Sequence, residues 1–375
     1  MKIGIDAREL CGRPTGVGRY LEGLLTEWAR DEHARRHQFV LYAPEQIRRE
    51  AGTSARIVPG PAGVWWEQMR LPKAARADRL DVFFAPAYTA PLTIGVPLVV
   101  AIHDLSFVAH PEWFRVREGV RRRWFTRRAA ARARAVITVS EFSRREIAER
   151  FGLPADRIHV VLHGTTPVAA SAHNQPVVLF VGSILNRRRV PDLIRAFGRV
   201  ARTHPESSLE IVGDNRSHPY EDLLRTIAEE RLDGRVRWHA YVADDELRTL
   251  YGRARAFAFL SEYEGFGLTP VEALAAGVPP VLLDTAVARE TCGDAALYVP
   301  RGDLDAAANA LERALFDADT RARILAAAPK VLARCSWPRA ARETLAILEA
   351  AARKSTTTED TGTNRGHSER HNVTP

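Results

Sequence analysis

The sequence predicts an α/β protein built from two doubly wound parallel-sheet domains, on three observations. Short apolar runs alternate with helix-like segments in both halves, a polar stretch separates the halves, and glycine loops follow several runs. At 375 residues the chain also exceeds the length that one hydrophobic core usually serves.

In the first half the expected strands are Lys2 to Asp6, Phe39 to Tyr42, Val82 to Ala85, Leu98 to His103 and Ala135 to Ser140. In the second half they are Val177 to Val181, Leu209 to Val212, Val236 to His239, Ala256 to Leu260 and Val278 to Leu283. Each is a short, nearly continuous apolar run, as strands covered on both faces require. Helical segments between them make βαβ units, so each half is Rossmann-like and the two halves face a cleft. The stretch Thr166 to Pro176 has no apolar periodicity and reads as an exposed linker. We therefore expect domains over 1–166 and 177–335 joined by a linker over 167–176. A helix over 336–352 is expected to pack back on the first domain, and the polar stretch 353–375 to be disordered.

Hydrophobic residues make up 46% and charged residues 27%, which places the chain among folded globular proteins. Cys11, Cys292 and Cys335 form no CxxC pair and leave one over under any disulfide scheme, so reduced thiols are expected. No apolar run approaches the roughly 20 residues that cross a bilayer, and the first residues enter a strand pattern without a signal-peptide core. A cytoplasmic location is expected. The net charge of +8 and pI near 9.7 favour polyanionic partners: nucleotides, nucleic acid or an anionic lipid surface.

Ligands of open α/β sheets sit beyond the carboxyl ends of the strands, which directs attention to the loops there. The strongest signal is Ser261-Glu262-Tyr263-Glu264-Gly265-Phe266-Gly267-Leu268-Thr269-Pro270-Val271-Glu272-Ala273. Gly265 and Gly267 let backbone approach a ligand, and the loop amides with the following helix start suit an oxygen-rich or anionic group. Glu264 and Glu272 offer carboxylates to sugar and ribose hydroxyls. Thr269-Pro270-x-Glu272 also reads as a capping box, which needs no ligand.

With seven residues between its two glutamates, this segment resembles the hallmark of family 4 glycosyltransferases, and the resemblance covers nearly the whole chain. It implies a GT-B fold and a retaining transfer from a nucleotide-sugar donor. In such proteins the first glutamate and the amides after it hold the transferred sugar, and the second glutamate binds the ribose. By that resemblance the roles fall on Glu264 with Phe266, Gly267 and Leu268, and on Glu272.

A second loop, Phe180 to Arg189, carries Arg187, Arg188 and Arg189 in succession. Fixed cations stabilise charge developing on a nucleoside diphosphate leaving group, whereas a solvated charged turn needs no function. Resemblance places Arg188 at the position of the family's usual lysine, with Arg187 or Ser183 assisting. Ser183 stands where some members carry arginine, which leaves open how many cations meet the diphosphate.

A third loop ends in Gly16-Val17-Gly18 before a helix, as an anion-approachable helix start would. Leu21 occupies the third glycine position of GxGxxG, so it is not a dinucleotide fingerprint, and a tight turn fits the spacing equally. Resemblance places Gly16 and Gly18 toward the donor. Ile102-His103-Asp104 closes an apolar strand and resembles the family's active-site strand, which assigns His103 to the donor sugar. Ser140 and His163 are further cleft-lining candidates, although Ser143-x-x-Glu146 also reads as helix capping.

Asp303-Leu304-Asp305 has DxD spacing but opens a helix, where Asp303 serves as an N-cap, and Asp244-Asp245-Glu246 likewise precedes a helical run. No His/Cys cluster has zinc-like spacing. Catalysis without cofactor or essential metal is expected, with Arg188 in the cation's part. Between Arg115 and Arg134 lie nine arginines and one acid, Glu118, with Trp113, Val116, Val120 and Trp124 at helical spacing. Such a helix either lies on an anionic membrane at the inner face, or packs its apolar stripe on its own sheet.

The expected function is transfer of a mannose-like hexose to a glycan or lipid-linked acceptor in bacterial surface polysaccharide or glycolipid synthesis. A sugar-nucleotide epimerase of the same architecture is the alternative within enzymes. A lysine-bound pyridoxal phosphate, as phosphorylases carry, is disfavoured because no lysine lies between 74 and 329. Nucleic-acid binding through residues 115–134 is the non-enzymatic alternative; it leaves the Glu264 loop unexplained, so no nucleic-acid partner is expected.

Overall fold

The computed structural model describes residues 1–12, 16–47, 55–165 and 175–356. Two parallel sheets are present. The first contains β1 (Lys2–Asp6), β2 (Gln38–Ala43), β3 (Ala55–Ile57), β4 (Val82–Ala85), β5 (Leu98–Ala101), β6 (Ala135–Thr138) and β7 (Ile158–Val160), in the order β3-β2-β1-β4-β5-β6-β7. The second contains β8 (Val177–Val181), β9 (Ser208–Val212), β10 (Val236–His239), β11 (Ala256–Phe259), β12 (Pro280–Leu283) and β13 (Leu297–Val299), in the order β10-β9-β8-β11-β12-β13. In each sheet the order reverses beside the first strand, between β1 and β4 and between β8 and β11. Helices on either side of such a reversal run to opposite faces and open a crevice at the strand ends. The loops leaving β8 and β11, which carry Arg188 and Glu264, therefore share one crevice.

All ten expected strands are present. Those expected to end at His103 and Ser140 end earlier, at Ala101 and Thr138, where the chain leaves the ladder to enter the cleft. The three strands the sequence did not announce, β3, β7 and β13, are sheet-edge strands of three residues each. An edge strand of that length carries too few apolar positions to stand out from a loop.

The second domain buries one continuous core around Phe180, Phe197 and Phe257. The first domain has a core on each face of its sheet, with Tyr42, Trp66 and Phe83 on one side and Tyr20, Trp28 and Phe84 on the other. The last helix, Trp337–Thr356, returns to that second face. Its Ala341, Leu345 and Leu348 recur at i, i+4, i+7 and complete the core, while Trp28 Nε1 donates to the Ala341 carbonyl at 2.9 Å. The helix continues past residue 352 to Thr356. Residues 357–375 of the expected tail, and 167–174 of the expected linker, lie outside the described residues.

The arginine-rich helix, Val116–Arg132, corrects one reading. Its apolar stripe does not pack on the sheet: Val116 is 80%, Val120 51% and Trp124 49% exposed. Small residues, Gly119, Thr126, Ala129 and Ala130, form the buried face instead, because they let the helix approach the layer beneath. Among the described residues no helix is long and apolar enough to cross a membrane.

Candidate active site

The loop after β11 is organised around Glu264. Its carboxylate accepts from Ser261 Oγ at 2.8 Å and from Arg188 Nε at 3.0 Å, with Arg187 Nε at 3.8 Å. Burial works to raise the Glu264 pKa, but the charges of Arg188 and Arg187, with the hydrogen bonds from Arg188 and Ser261, outweigh it and hold the carboxyl below its usual range. Glu264 is thus an anion fixed in place. Gly267 takes a left-handed conformation (φ 87°) that glycine adopts without strain, and the helix Leu268–Ala275 begins directly after it. That start shifts the expected capping box out of register: Thr269 lies inside the helix, and no side chain caps it. Glu272 is left for other partners.

The arginines leaving β8 divide their work. Asn186–Arg188 form a 3-10 turn, and Arg189 turns left-handed (φ 50°) into the next helix, pairing with Asp192 and Glu262. Arg188 Nη1 donates to the Ser183 carbonyl at 2.9 Å, and its guanidinium lies 5.0 Å from the centre of the Phe259 ring. Gly182 takes a φ of 143° that other residues rarely adopt, which explains the glycine, and a Cβ there would also crowd that guanidinium. Arg187 Nε donates to the Tyr263 carbonyl at 3.1 Å, and its charge also lowers the pKa of Asp104, across the cleft, against the effect of burial. The Ser183 hydroxyl donates to Asp214 at 2.7 Å. Two of the three guanidiniums therefore face Glu264, and the third serves the helix start.

His103 meets this loop from the first domain. The ring is buried, its Nε2 donates to the Pro86 carbonyl at 2.8 Å, and Nδ1 is left as an acceptor. Burial lowers its pKa, so the neutral ring prevails at pH 7. Tyr20, Tyr88 and His163 surround it edge-on. Its main chain abuts Gly265, where any Cβ would overlap the His103 carbonyl oxygen. Ser140 Oγ donates to the Gly265 carbonyl at 2.6 Å while also capping the helix Glu141–Phe151 through the Ser143 amide. The cap is thus Ser140 rather than Ser143.

Glu272 lines a different part of the crevice, a cavity of about 770 Å³ bordered by Arg19, Glu22, Asp244, Tyr251 and Trp337. Tyr251 Oη donates to Glu272 at 3.1 Å, and Arg19 of the first domain lies 3.8 Å away. Burial raises the Glu272 pKa, and Arg19 acts against it. Gly16 and Gly18 begin the helix Gly16–Arg30 that carries Arg19; a Cβ on Gly16 would meet nothing within 4 Å, so no close packing demands glycine there. Residues 13–15 of that loop lie outside the described ones. Asp303 caps its helix through the Ala306 amide, and Asp244 and Asp245 sit in a helical first turn, as read from the sequence.

Residues 166–331 match the glycosyl transferases group 1, and residues 14–167 match Glycosyltransferase Family 4. The chain belongs to the family 4, group 1 glycosyltransferases. This glycosyltransferase is 28% identical over 269 residues to O-antigen chain mannosyltransferase B of Escherichia coli, covering 66% of this chain and 68% of that one. It is 26% identical over 345 residues to alpha-D-kanosaminyltransferase of Streptomyces kanamyceticus, covering 86% and 83%. Its fold is that of GT-B glycosyltransferases. Anabaena Alr3699/HepE, solved with UDP and glucose, superposes with a TM-score of 0.70 at 20% identity over 95% of this chain and 100% of that one. WaaG, a glycosyltransferase involved in lipopolysaccharide biosynthesis, gives 0.70 at 15% over 96% and 100%.

Sequence reasoning missed Arg19, Tyr251 and Asp214, which contact the candidate residues. Arg19 stands beside Gly18, but nothing along the chain shows that it reaches a glutamate 253 positions away. Among the described residues one group also departs from the absence of zinc-like spacing: His33, His37 and Glu349 come together outside the cleft loops.

Proposed function

We propose that this glycosyltransferase moves a mannose-like hexose, with retention, from a nucleoside-diphosphate sugar to a glycan or lipid-linked acceptor. The observation that carries the reading is the Glu264 carboxylate fixed between Arg188, Arg187 and Ser261 beside the His103 main chain. Glu264, with the amides of Phe266, Gly267 and Leu268, takes the sugar hydroxyls, and His103 Nδ1 accepts from another. Glu272 takes the ribose hydroxyls. In the transfer, the bond from the anomeric carbon to the diphosphate oxygen breaks as the acceptor oxygen attacks from the same face. The acceptor proton passes to the departing phosphate oxygen, so no carboxylate pair is needed. Arg188 and Arg187 neutralise the charge left on the diphosphate in place of a metal ion. The mannosyltransferase among the relatives supports the sugar class, and the complexes of Alr3699/HepE support a nucleotide-sugar donor.

The outward apolar stripe of Val116–Arg132, set among arginines, favours peripheral contact with an anionic membrane that presents a lipid-linked acceptor. The deciding experiment is a thermal-shift panel of nucleotide sugars followed by product analysis. The stabilising donor should yield transfer to an added acceptor with retained anomeric configuration; an inverted product, or epimerised donor without transfer, overturns the proposal.

A further inference from the structure

We propose that His33, His37 and Glu349 form a site for one divalent transition-metal ion of the zinc class, which clamps the returning C-terminal helix to the first domain. His33 and His37 flank the 3-10 turn Ala34–Arg36, and their rings meet edge-on with centroids 5.4 Å apart. Glu349 arrives from the last helix, Trp337–Thr356. One of its oxygens lies 2.8 Å from His33 Nε2 and 3.0 Å from His37 Nε2. One donor atom from each residue can be chosen so that all three lie within 4.8 Å of one another.

Two imidazole nitrogens and one carboxylate oxygen are the donors that borderline first-row ions prefer, whereas calcium and magnesium need more oxygens. Zinc with ligands at about 2.0–2.1 Å in a tetrahedron separates neighbouring donors by roughly 3.3 Å, so the two nitrogen–oxygen distances would open only slightly. Water completes the fourth position. The side chain of His37 is 10% exposed and that of Glu349 18%, while His33 at 59% leaves an approach from solvent. His37 Nδ1 lies 3.3 Å from the Met1 nitrogen, on the side of the ring away from Glu349. Without an ion, a single carboxylate oxygen serves both rings, and the group is a plain hydrogen-bonded cluster.

The test uses the full-length, untagged chain, stripped with a chelator and titrated with zinc chloride. Isothermal titration should show a wild-type site that weakens at least tenfold in His33→Ala and in Glu349→Gln. Zinc should raise the wild-type melting temperature and leave both variants unmoved. His33 is exposed, and Gln preserves the size and acceptor of Glu349, so both variants should melt like wild type in chelator. Equal affinity and equal thermal shift in all three proteins, as binding by His367 and His371 would produce, overturn the proposal. So does an absence of wild-type binding at about 100 µM zinc, a concentration that would more than half fill a site of micromolar affinity.

Discussion

The Gly265 backbone lies so close to the His103 carbonyl oxygen that no residue with a Cβ fits between the two domains at this point. The contact is held from below by Ser140, whose hydroxyl donates to the Gly265 carbonyl at 2.6 Å. It sets the distance between the first domain and the Glu264 loop. Gly265→Ala must therefore push them apart, and misplacement by an ångström costs on the order of 10²-fold in rate. We expect kcat/KM to fall by about that factor with nucleoside-diphosphate binding largely kept. Wild-type turnover in the alanine variant would show that the close approach is dispensable.

Glu264→Gln keeps the shape and one acceptor but removes the charge that Arg188 and Arg187 face. If the carboxylate and its arginines act on the donor as proposed, transfer should drop by about 10²-fold or more. Arg188→Ala should do the same while also leaving Glu264 short of its 3.0 Å partner and lowering the melting temperature. Initial rates and thermal melts on the two variants check both statements.

Glu272→Ala probes the ribose assignment. Losing two charge-assisted hydrogen bonds should weaken nucleoside-diphosphate binding by about tenfold or more. Binding of the sugar phosphate alone should be unaffected. Arg19→Ala removes the cation 3.8 Å from the largely buried Glu272 carboxylate, so the Glu272 pKa, already raised by burial, should rise further, as a pH titration of the variant would show.

His163 and His103 make the protein acid-sensitive. Burial first, and then the His103 charge, hold the His163 pKa well below 6.5; burial lowers that of His103 as well. The unfolded chain takes up protons on these rings near pH 6.5, and the folded chain does so only at lower pH. Stability from this source is complete above about pH 6.5 and falls as pH drops, by at most about 1.4 kcal/mol per pH unit for each ring. Denaturant titrations at pH 7.5 and 5.5 should show the loss, and His163→Phe should reduce it.

The exposed stripe on Val116–Arg132 predicts binding to anionic vesicles at low salt, reduced by Val120→Ser with Trp124→Ser. Co-sedimentation reads the effect, and unchanged melting confirms that both side chains face outward.

The ten long strands and the two glutamates were readable because buried parallel strands are continuous apolar runs and because strand, glycine loop and helix follow one another in sequence. The edge strands β3, β7 and β13 were not, since three residues carry no periodicity. Nor was the orientation of Val116–Arg132: its apolar stripe and its small-residue face are both periodic, and only the layer beneath shows which is buried. The capping reading of Glu272 fitted the local spacing until Gly267 moved the helix start.

By itself the sequence determined the α/β class and the strand-end loops with their candidate carboxylates and arginines, because these depend on neighbours along the chain. Only the tertiary structure decided which charges meet: Arg188 with Glu264, Arg19 with Glu272, and His33 and His37 with Glu349. Such pairings join residues 76 to 316 positions apart, and the energy of a charge is set by distance in space and by burial, neither of which local spacing records.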